Sequence, residues 1–341
     1  MSDPEAEAVG PPSVEVAPDQ SVLEVPPQPV YTMPPVSGFW RRLSAFLIDG
    51  LALGVFLQII ALPLSFLWFE FGPYGRIVGF LIALGYFGVL DSRAGGGQTL
   101  GKRLMKVAVR GADGQPIDEG VSVVRTLIWL VPASINGWAI PLMHHPVAAW
   151  VASFLIFGVG GAVVVTLVFN RRSRQGVHDL LTRSYVVRLN GQPVESLPSA
   201  TRLPWILSGA VLLVTLISGV LLAMLNPGGQ FEYMRDVHQE LLADDRFFSA
   251  SVMDRTYFQG GEETSHVLVV NVWYKGKPTD AERRSAVNDV VRAALTMDEI
   301  DDFEGIIVSV TSAYDLGLAS YQTFSVEDES VETWRERLGV D

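Results

Sequence analysis

Apolar residues are concentrated in five long stretches, and polar residues dominate the last third of the chain. The stretches cover residues 43–69, 74–91, 121–143, 147–169 and 203–225. A helix crosses a bilayer with about 20 consecutive apolar residues, so stretches of this length are candidate spans. The pattern predicts an α-helical polytopic membrane domain, built as a four-helix bundle with a fifth transmembrane helix at 203–225.

Residues 230–341 have the pattern of a water-soluble domain. Their apolar positions form strand-like and helix-like runs in the order α-β-β-α-β-β-α. Thr279 and Glu282 have the spacing of a capping box at the start of a long amphipathic helix. We therefore expect a separate α+β domain in which helices cover one sheet.

The loops between the predicted spans differ in their content of basic residues. Residues 91–120 contain five Lys or Arg and residues 170–202 contain six, whereas the loops near 70–73 and 144–146 contain none. Basic loops remain in the cytoplasm, so the N-terminus is predicted to be cytoplasmic and the domain at 230–341 to be exported. A plasma membrane is the expected location.

The N-terminal residues 1–37 contain nine prolines and no Lys or Arg. This acidic, Pro-rich composition predicts a disordered cytoplasmic tail. It does not fit a cleavable signal peptide, which needs a basic start and an early apolar core.

The net charge of −12 comes from the C-terminal part, because residues 226–341 hold 23 Asp and Glu against 10 Lys and Arg. Such acidity disfavours nucleic acid as a partner. The expected partners are the lipid bilayer for the spans and another protein for the exported domain, and a homo-oligomer is left open. Since the chain has no cysteine, the domain is expected to fold without disulfides.

No pattern of residues indicates catalysis, a cofactor or a metal site. The pair His144 and His145 has no acidic or Cys ligands beside it, and the pair His178 and Asp179 is too common to support an active site. We expect a non-enzymatic protein without a cofactor or a bound metal.

The segment GGGQTLGKR at 95–103 looks like the start of a phosphate-binding loop. Arg103 stands where that loop needs Ser or Thr for magnesium, and the preceding apolar run is far too long for a strand. We interpret Thr99, Gly101, Lys102 and Arg103 instead as a cytoplasmic motif at the membrane interface. Leucines on one side of a short helix and basic residues on the other would let it rest on anionic lipid.

Two short segments of similar sequence, 107–117 and 185–194, occur in the two basic loops. Each has an alternating apolar run, an arginine and a turn with Asp-Gly or Asn-Gly. We predict that they pair as strands and tie the two loops together.

Three blocks of sequence together resemble the RDD family of bacterial membrane proteins: GFWRRLSAFLIDGLAL (38–53), GGQTLGKRLMKVAVRGADGQPI (96–117) and RRSRQGVHDLLTRSYVV (171–187). The resemblance implies a bacterial membrane domain over residues 38–190 and leaves residues 203–341 outside it. The arginine and the two aspartates for which the family is named best match Arg42, Asp49 and Asp179, with Asp91 as an alternative for the second aspartate. The family's molecular function is poorly defined, so the resemblance implies architecture more than activity.

Asp49 lies seven residues after Arg42, which places both side chains on one face of the first helix. A charge at membrane depth is costly and faces a partner, water or the bundle interior. We expect Arg42 to approach Asp49, and Arg125 to reach Asp49 or Asp91. These residues are interpreted either as structural ion pairs or as a proton or cation site.

Two functions follow from these patterns. The first is a non-enzymatic membrane protein whose bundle anchors an exported interaction or sensing domain. The second is a cation or proton transporter that uses Arg42, Asp49 and Asp91.

Overall fold

The fold is given by a computed structural model that describes residues 33–138, 145–192, 194, 198–199, 201–225, 232–259 and 262–340. Most of the predicted tail, the end of the predicted span at 121–143, and His144 lie outside the described residues.

Apolar helices form the N-terminal part of the chain. They are α1 (Phe39–Ala61), α2 (Ser65–Phe71), α3 (Gly75–Leu90), α5 (Glu119–Ile135), α6 (Pro146–Ser153), α7 (Gly161–Phe169) and α9 (Arg202–Leu225). A 3₁₀ turn joins α2 to α3, and a π-helical turn, Phe154–Gly160, joins α6 to α7. Among the described residues, four helical runs are long and apolar enough to cross a membrane: Phe39–Ala61, Ser65–Leu90, Val147–Phe169 and Arg202–Leu221.

Two predicted span boundaries are wrong. The first helix ends at Ala61 and not near residue 69, because Pro63 lacks an amide hydrogen and interrupts the helical hydrogen bonds. Residues 65–71 instead begin the second helical run. The predicted span 121–143 is a helix, but within the described residues α5 ends at Ile135 after 17 residues and does not reach the length of a full span.

The two basic loops form one small unit. It contains α4 (Leu100–Leu104), β1 (Val107–Gly111), α8 (Val177–Leu181) and β2 (Ser184–Arg188). The strands β1 and β2 pair antiparallel, with Val107 opposite Arg188 and Gly111 opposite Ser184, so the predicted pairing of the two loops is confirmed. Val36 forms a bridge to Val187 of β2 and Met33 forms one to Val194, so the last residues of the predicted disordered tail are ordered against the second basic loop.

The C-terminal part has the predicted element order. It consists of α10 (Glu232–Ala243), β3 (Phe247–Gln259), β4 (Glu262–Tyr274), α11 (Asp280–Ala294), β5 (Gly305–Asp315), β6 (Ser320–Ser330) and α12 (Val331–Leu338). The sheet order is β3-β4-β5-β6, in which only β4 and β5 are parallel. The capping box of Thr279 and Glu282 is present.

One face of this sheet packs against the three helices. Leu268, Val270 and Ile306 of the sheet are fully buried with Val290 of α11 and Trp334 of α12. Since alternate strand residues point to one face, the alternation seen in the sequence is sufficient to build this core.

The turn between β5 and β6 packs between α1 and α3. Leu316 is buried in one apolar cluster with Leu57 and Ala61 of α1 and with Trp68 and Phe69 of α2. The C-terminal domain is thus docked on one end of the helices, and the small β1–β2 unit lies at the other end of α1 and α3.

Candidate functional site

Six charged side chains meet where the helices join the β1–β2 unit, and we call them the charged network. Its members are Arg42, Asp49, Asp91, Lys102, Arg125 and Asp179. The three aspartates and Arg125 are each at most 4% exposed. Buried charges are stable only when they are paired or well hydrogen-bonded, so each member must be accounted for by its partners.

Arg125 lies at the centre of the charged network. Its Nε and Nη2 atoms donate to Asp179 Oδ1 at 2.9 and 2.7 Å, and its Nη1 atom donates to Asp91 Oδ2 at 2.9 Å. The planar guanidinium group suits such a double role because its donors form a fixed fork. Arg125 of α5 therefore links the end of α3 to α8, and the sequence prediction that it reaches Asp91 is confirmed.

Arg42 pairs with Asp179 and not with Asp49. Its Nη2 atom lies 2.5 Å from Asp179 Oδ2, and its Nη1 atom donates to the backbone carbonyl of Arg174. The expected pair with Asp49 is wrong, because the fold brings α8 to the start of α1 and offers a buried carboxylate there. Sequence spacing on one helix could not reveal this partner, which lies 137 residues away.

Asp49 is held by neutral donors. Its Oδ1 atom accepts hydrogen bonds from the Tyr86 hydroxyl at 2.6 Å and from the Gly101 amide at 2.7 Å, and its Oδ2 atom accepts one from the Thr99 hydroxyl at 2.5 Å. Within the described residues no cation lies close enough to form an ion pair with it. Three donors satisfy most of the hydrogen-bonding capacity of a carboxylate.

The predicted interfacial motif of Thr99, Gly101, Lys102 and Arg103 is anchored to the protein on one side, while Leu100 and Leu104 of the same helix are exposed, so its contact with lipid stays a prediction. Thr99 and Gly101 are buried, and a Cβ atom at position 101 would lie 2.1 Å from the Ala45 carbonyl oxygen, so only glycine lets α4 approach α1 this closely. Lys102 turns inward, with Nζ 2.5 Å from both oxygens of Asp91. Arg103 is exposed. The amphipathic pattern of α4 did not predict that Lys102 binds a buried carboxylate, because that partner lies outside the five-residue helix.

Burial and ion pairing shift the pKa values of Lys102 and Asp179, two members of the charged network that lie in the basic loops. Burial lowers the pKa of Lys102, although Asp91 acts in the opposite direction. Burial alone would raise the pKa of Asp179, but the neighbouring cationic groups, Arg125 and Arg42 among them, hold it well below its usual range. With three cations and three carboxylates, the charged network as a whole is electrically balanced.

His178 is a buried residue that sequence analysis set aside. It is 6% exposed, and its Nε2 atom lies 3.5 Å from Asp179 Oδ1. Burial lowers its pKa to about 3, so the imidazole is neutral near neutral pH. Tyr86 was also missed, since a tyrosine within an apolar run gives no signal that it binds an aspartate 37 residues away.

A cavity of about 640 Å³ opens above the charged network between α1, α5 and α7. Its walls are mostly apolar, and Arg42, Asp49, Asp91, Lys102 and Arg125 contribute to its polar end. The volume lies within the range of about 300–1,000 Å³ that is typical of small-molecule sites. Within the part of the chain that the structure describes, no group of three or more metal-ligating side chains is present.

The opposite end of α1 and α3 is closed by the β5–β6 turn. A Cβ atom at Gly79 would lie 1.8 Å from the Leu316 carbonyl oxygen, and one at Gly54 would lie 3.0 Å from that of Leu318. Arg76 at the start of α3 forms an ion pair with Asp315 and donates to the Asn136 carbonyl at 2.6 Å. Glycines in two helices therefore admit the backbone of the turn, and one arginine ties it to α3 and α5.

Comparison with known proteins identifies the membrane part. Residues 36–183 match the model of the RDD family, so the family resemblance of this region is confirmed. The match ends before α9 and the C-terminal domain. No curated protein and no solved structure matches the chain.

Proposed function

We propose that this RDD-family chain is a non-enzymatic protein of a bacterial plasma membrane whose bundle holds the C-terminal domain outside the cell as a sensing domain. The observation that carries the proposal is the β5–β6 turn inserted between α1 and α3. A domain that was only tethered by α9 would need no such contact.

The proposed orientation follows from charge and from the positions of the two ends. The basic loops belong to the end with the charged network, and the C-terminal domain docks on the end with the short loop 62–64. The positive-inside rule then places the charged network at the cytoplasmic face. The proposed orientation requires α5, with its 17 residues, to complete a fifth crossing beside the four longer helical runs.

The orientation is tested with single cysteines, because the natural chain has none. Thr296→Cys in the C-terminal domain should react with a membrane-impermeant maleimide in intact cells. Ala112→Cys at the β1 turn should react only after the cells are permeabilised. Labelling of Ala112→Cys in intact cells would contradict the orientation.

Coupling between the two ends is expected to run through α1 and α3. Both helices contact the β5–β6 turn with their outer halves, and both contribute to the charged network or its ligands with their inner halves, through Asp49, Tyr86 and Asp91. A sensing domain that moved its turn would change the spacing of α1 and α3 at the other end. Allosteric coupling requires two states, and the two states proposed here are the docked and the undocked β5–β6 turn.

The coupling experiment uses Leu316→Cys as a reporter of docking and Ser92→Cys as a reporter at the other end of α3. Leu316 and Ser92 are at most 2% exposed, so both cysteines should react slowly in the docked protein. Gly79→Leu should prevent docking and accelerate the reaction of both. Gly85→Leu is the matched control, since a side chain there meets nothing within 4 Å. If only the cysteine at position 316 reacted faster, the two ends of α3 would not be coupled. The C-terminal domain would then be an anchored interaction module and not a sensing domain.

Cation or proton transport is the second candidate, and the cavity that reaches the charged network favours it. Reconstituted vesicles with a pH-sensitive dye would test it directly. Transport through Asp49 predicts flux that Asp49→Asn abolishes while leaving stability nearly unchanged. Absence of flux in the unaltered protein removes this candidate.

A further inference from the structure

A second cavity, of about 660 Å³, lies at the start of α1 beside the charged network. It is lined by four arginines: Arg41 in α1, Arg171 and Arg174 after α7, and Arg188 at the end of β2. Within the described residues, no carboxylate lines this cavity and none of the four side chains forms an ion pair. The cavity is therefore a concentrated positive site, in contrast to the balanced network next to it.

Four like charges around one cavity repel one another, and an anion between them would relieve the repulsion. Guanidinium groups are well suited to this task, because their forked donors match the oxygens of a phosphate. The arrangement combines residues from three separate segments, so the fold and not a local run of basic sequence creates it.

The arginine-lined cavity adjoins the apolar cavity between α1, α5 and α7. Phe39, Val168 and Arg174 line both of them. Leu43, Phe157 and Val164 belong to the apolar walls further along. A ligand that fits both spaces has an anionic head and a long apolar tail.

We propose that the two cavities together bind one anionic phospholipid from the surrounding bilayer. The phosphate lies among Arg41, Arg171, Arg174 and Arg188, and an acyl chain passes Phe39 and Val168 into the apolar cavity. The site lies where α1 begins and α7 ends, at the depth of lipid headgroups, and Trp40 is 75% exposed there as an interfacial anchor. Basic pockets between membrane helices bind anionic headgroups in this way.

This inference rests on the membrane location of the helices and is independent of the role of the C-terminal domain. It also explains how the apolar cavity could be filled without water. An acyl chain contributes favourable contact with each buried methylene group, whereas water in an apolar space finds few polar partners.

The test titrates delipidated protein in neutral detergent with phosphatidylglycerol, phosphatidylcholine or inorganic phosphate and follows the melting temperature. Phosphatidylglycerol should raise the melting temperature of the unaltered protein, and the other two should not. Arg41→Gln with Arg171→Gln should weaken the apparent affinity for phosphatidylglycerol roughly 30-fold, as expected for losing two arginines near an anionic surface.

The matched control is Arg172→Gln with Arg183→Gln. Both arginines are exposed, and neither lines the cavity. Their substitution removes the same amount of charge from the same end of the helices. The control should keep the affinity of the unaltered protein. An equal loss in both double variants, or an equal response to phosphatidylcholine, would overturn the specific site. A full response to inorganic phosphate alone would replace it with a site for a small soluble anion.

Discussion

The membrane part and the C-terminal domain handle charge in opposite ways. The charged network buries three carboxylates and Arg125, leaves Arg42 and Lys102 only 12–13% exposed, and pairs or hydrogen-bonds all six. The C-terminal domain carries most of the acidity of the chain and leaves it in water, in ion pairs such as Arg337 with Glu327 and Arg335 with Asp301, whose side chains are 29–74% exposed. Water screens the second set, whereas the first set must be neutralised by protein groups. Removing one partner of an ion pair should therefore lower the free energy of unfolding much more in the charged network than in the C-terminal domain.

The largest effect is expected for Arg125→Leu. This substitution leaves Asp91 and Asp179 without their shared partner, and breaking a buried pair in this way costs about 3–5 kcal/mol. The measurement is the midpoint of denaturant unfolding in detergent. Arg172→Leu, at an exposed arginine of the same end, is the control and should change little. A loss below about 1 kcal/mol for Arg125→Leu would mean that the charged network is open to water.

A smaller effect is expected for Asp49→Asn, because Tyr86, Thr99 and Gly101 lose a charged acceptor but keep a polar neighbour. The expected loss is about 1–3 kcal/mol. The measurement is again denaturant unfolding in detergent.

A double-mutant cycle sharpens the same comparison. The losses in unfolding free energy caused by Arg42→Gln and by Asp49→Asn should add to within about 0.5 kcal/mol in the double variant, since the two residues share no contact. Arg42→Gln with Asp179→Asn should deviate more, because these side chains form a pair. The reverse ranking would restore the Arg42–Asp49 pair expected from sequence spacing.

The next effect depends on pH and comes from His178. Its folded-state pKa of about 3 lies below the ordinary value of 6.5, so below pH 6.5 the unfolded chain takes up a proton that the folded chain does not. Stability should thus fall with falling pH by about 1.4 kcal/mol at pH 5.5. His178→Gln should remove this dependence between pH 7 and pH 5.5, as measured by unfolding at each pH. A slope that His178→Gln leaves unchanged would show that folding does not lower the pKa of His178.

The smallest effect is expected in the C-terminal domain, for Arg335→Ala. The pair of Arg335 with Asp301 is at the surface and should contribute only about 0.2–1 kcal/mol. Adding 0.5 M salt should reduce even that difference. A loss as large as that of Arg125→Leu would contradict the contrast between the two regions.

Sequence patterns predicted best the elements that depend on residues close together in the chain. The alternation in β5 and the box of Thr279 and Glu282 are local, and the C-terminal elements follow one another in the predicted order. The paired loop strands were also predictable, because both contain the same turn chemistry. Span boundaries were less predictable, since Pro63 interrupts a run that is continuous by hydropathy and α5 ends at Ile135, before the predicted end of its span.

For the charged network, the positions of charges in the sequence indicated four of the six members but not most of their partners. A charge in or beside an apolar run is costly and needs a partner, so four members were recognisable: Arg42, Asp49, Asp91 and Arg125. Which carboxylate each cation meets depends on how α1, α3, α4, α5 and α8 pack, and contacts such as that of Arg42 with Asp179 cross 137 residues of chain. Only the tertiary structure could also bring four separate arginines to one cavity and the β5–β6 turn between two glycine-bearing helices. Hydropathy and local periodicity act over a few turns of chain, whereas charge pairing and close backbone approach act through space.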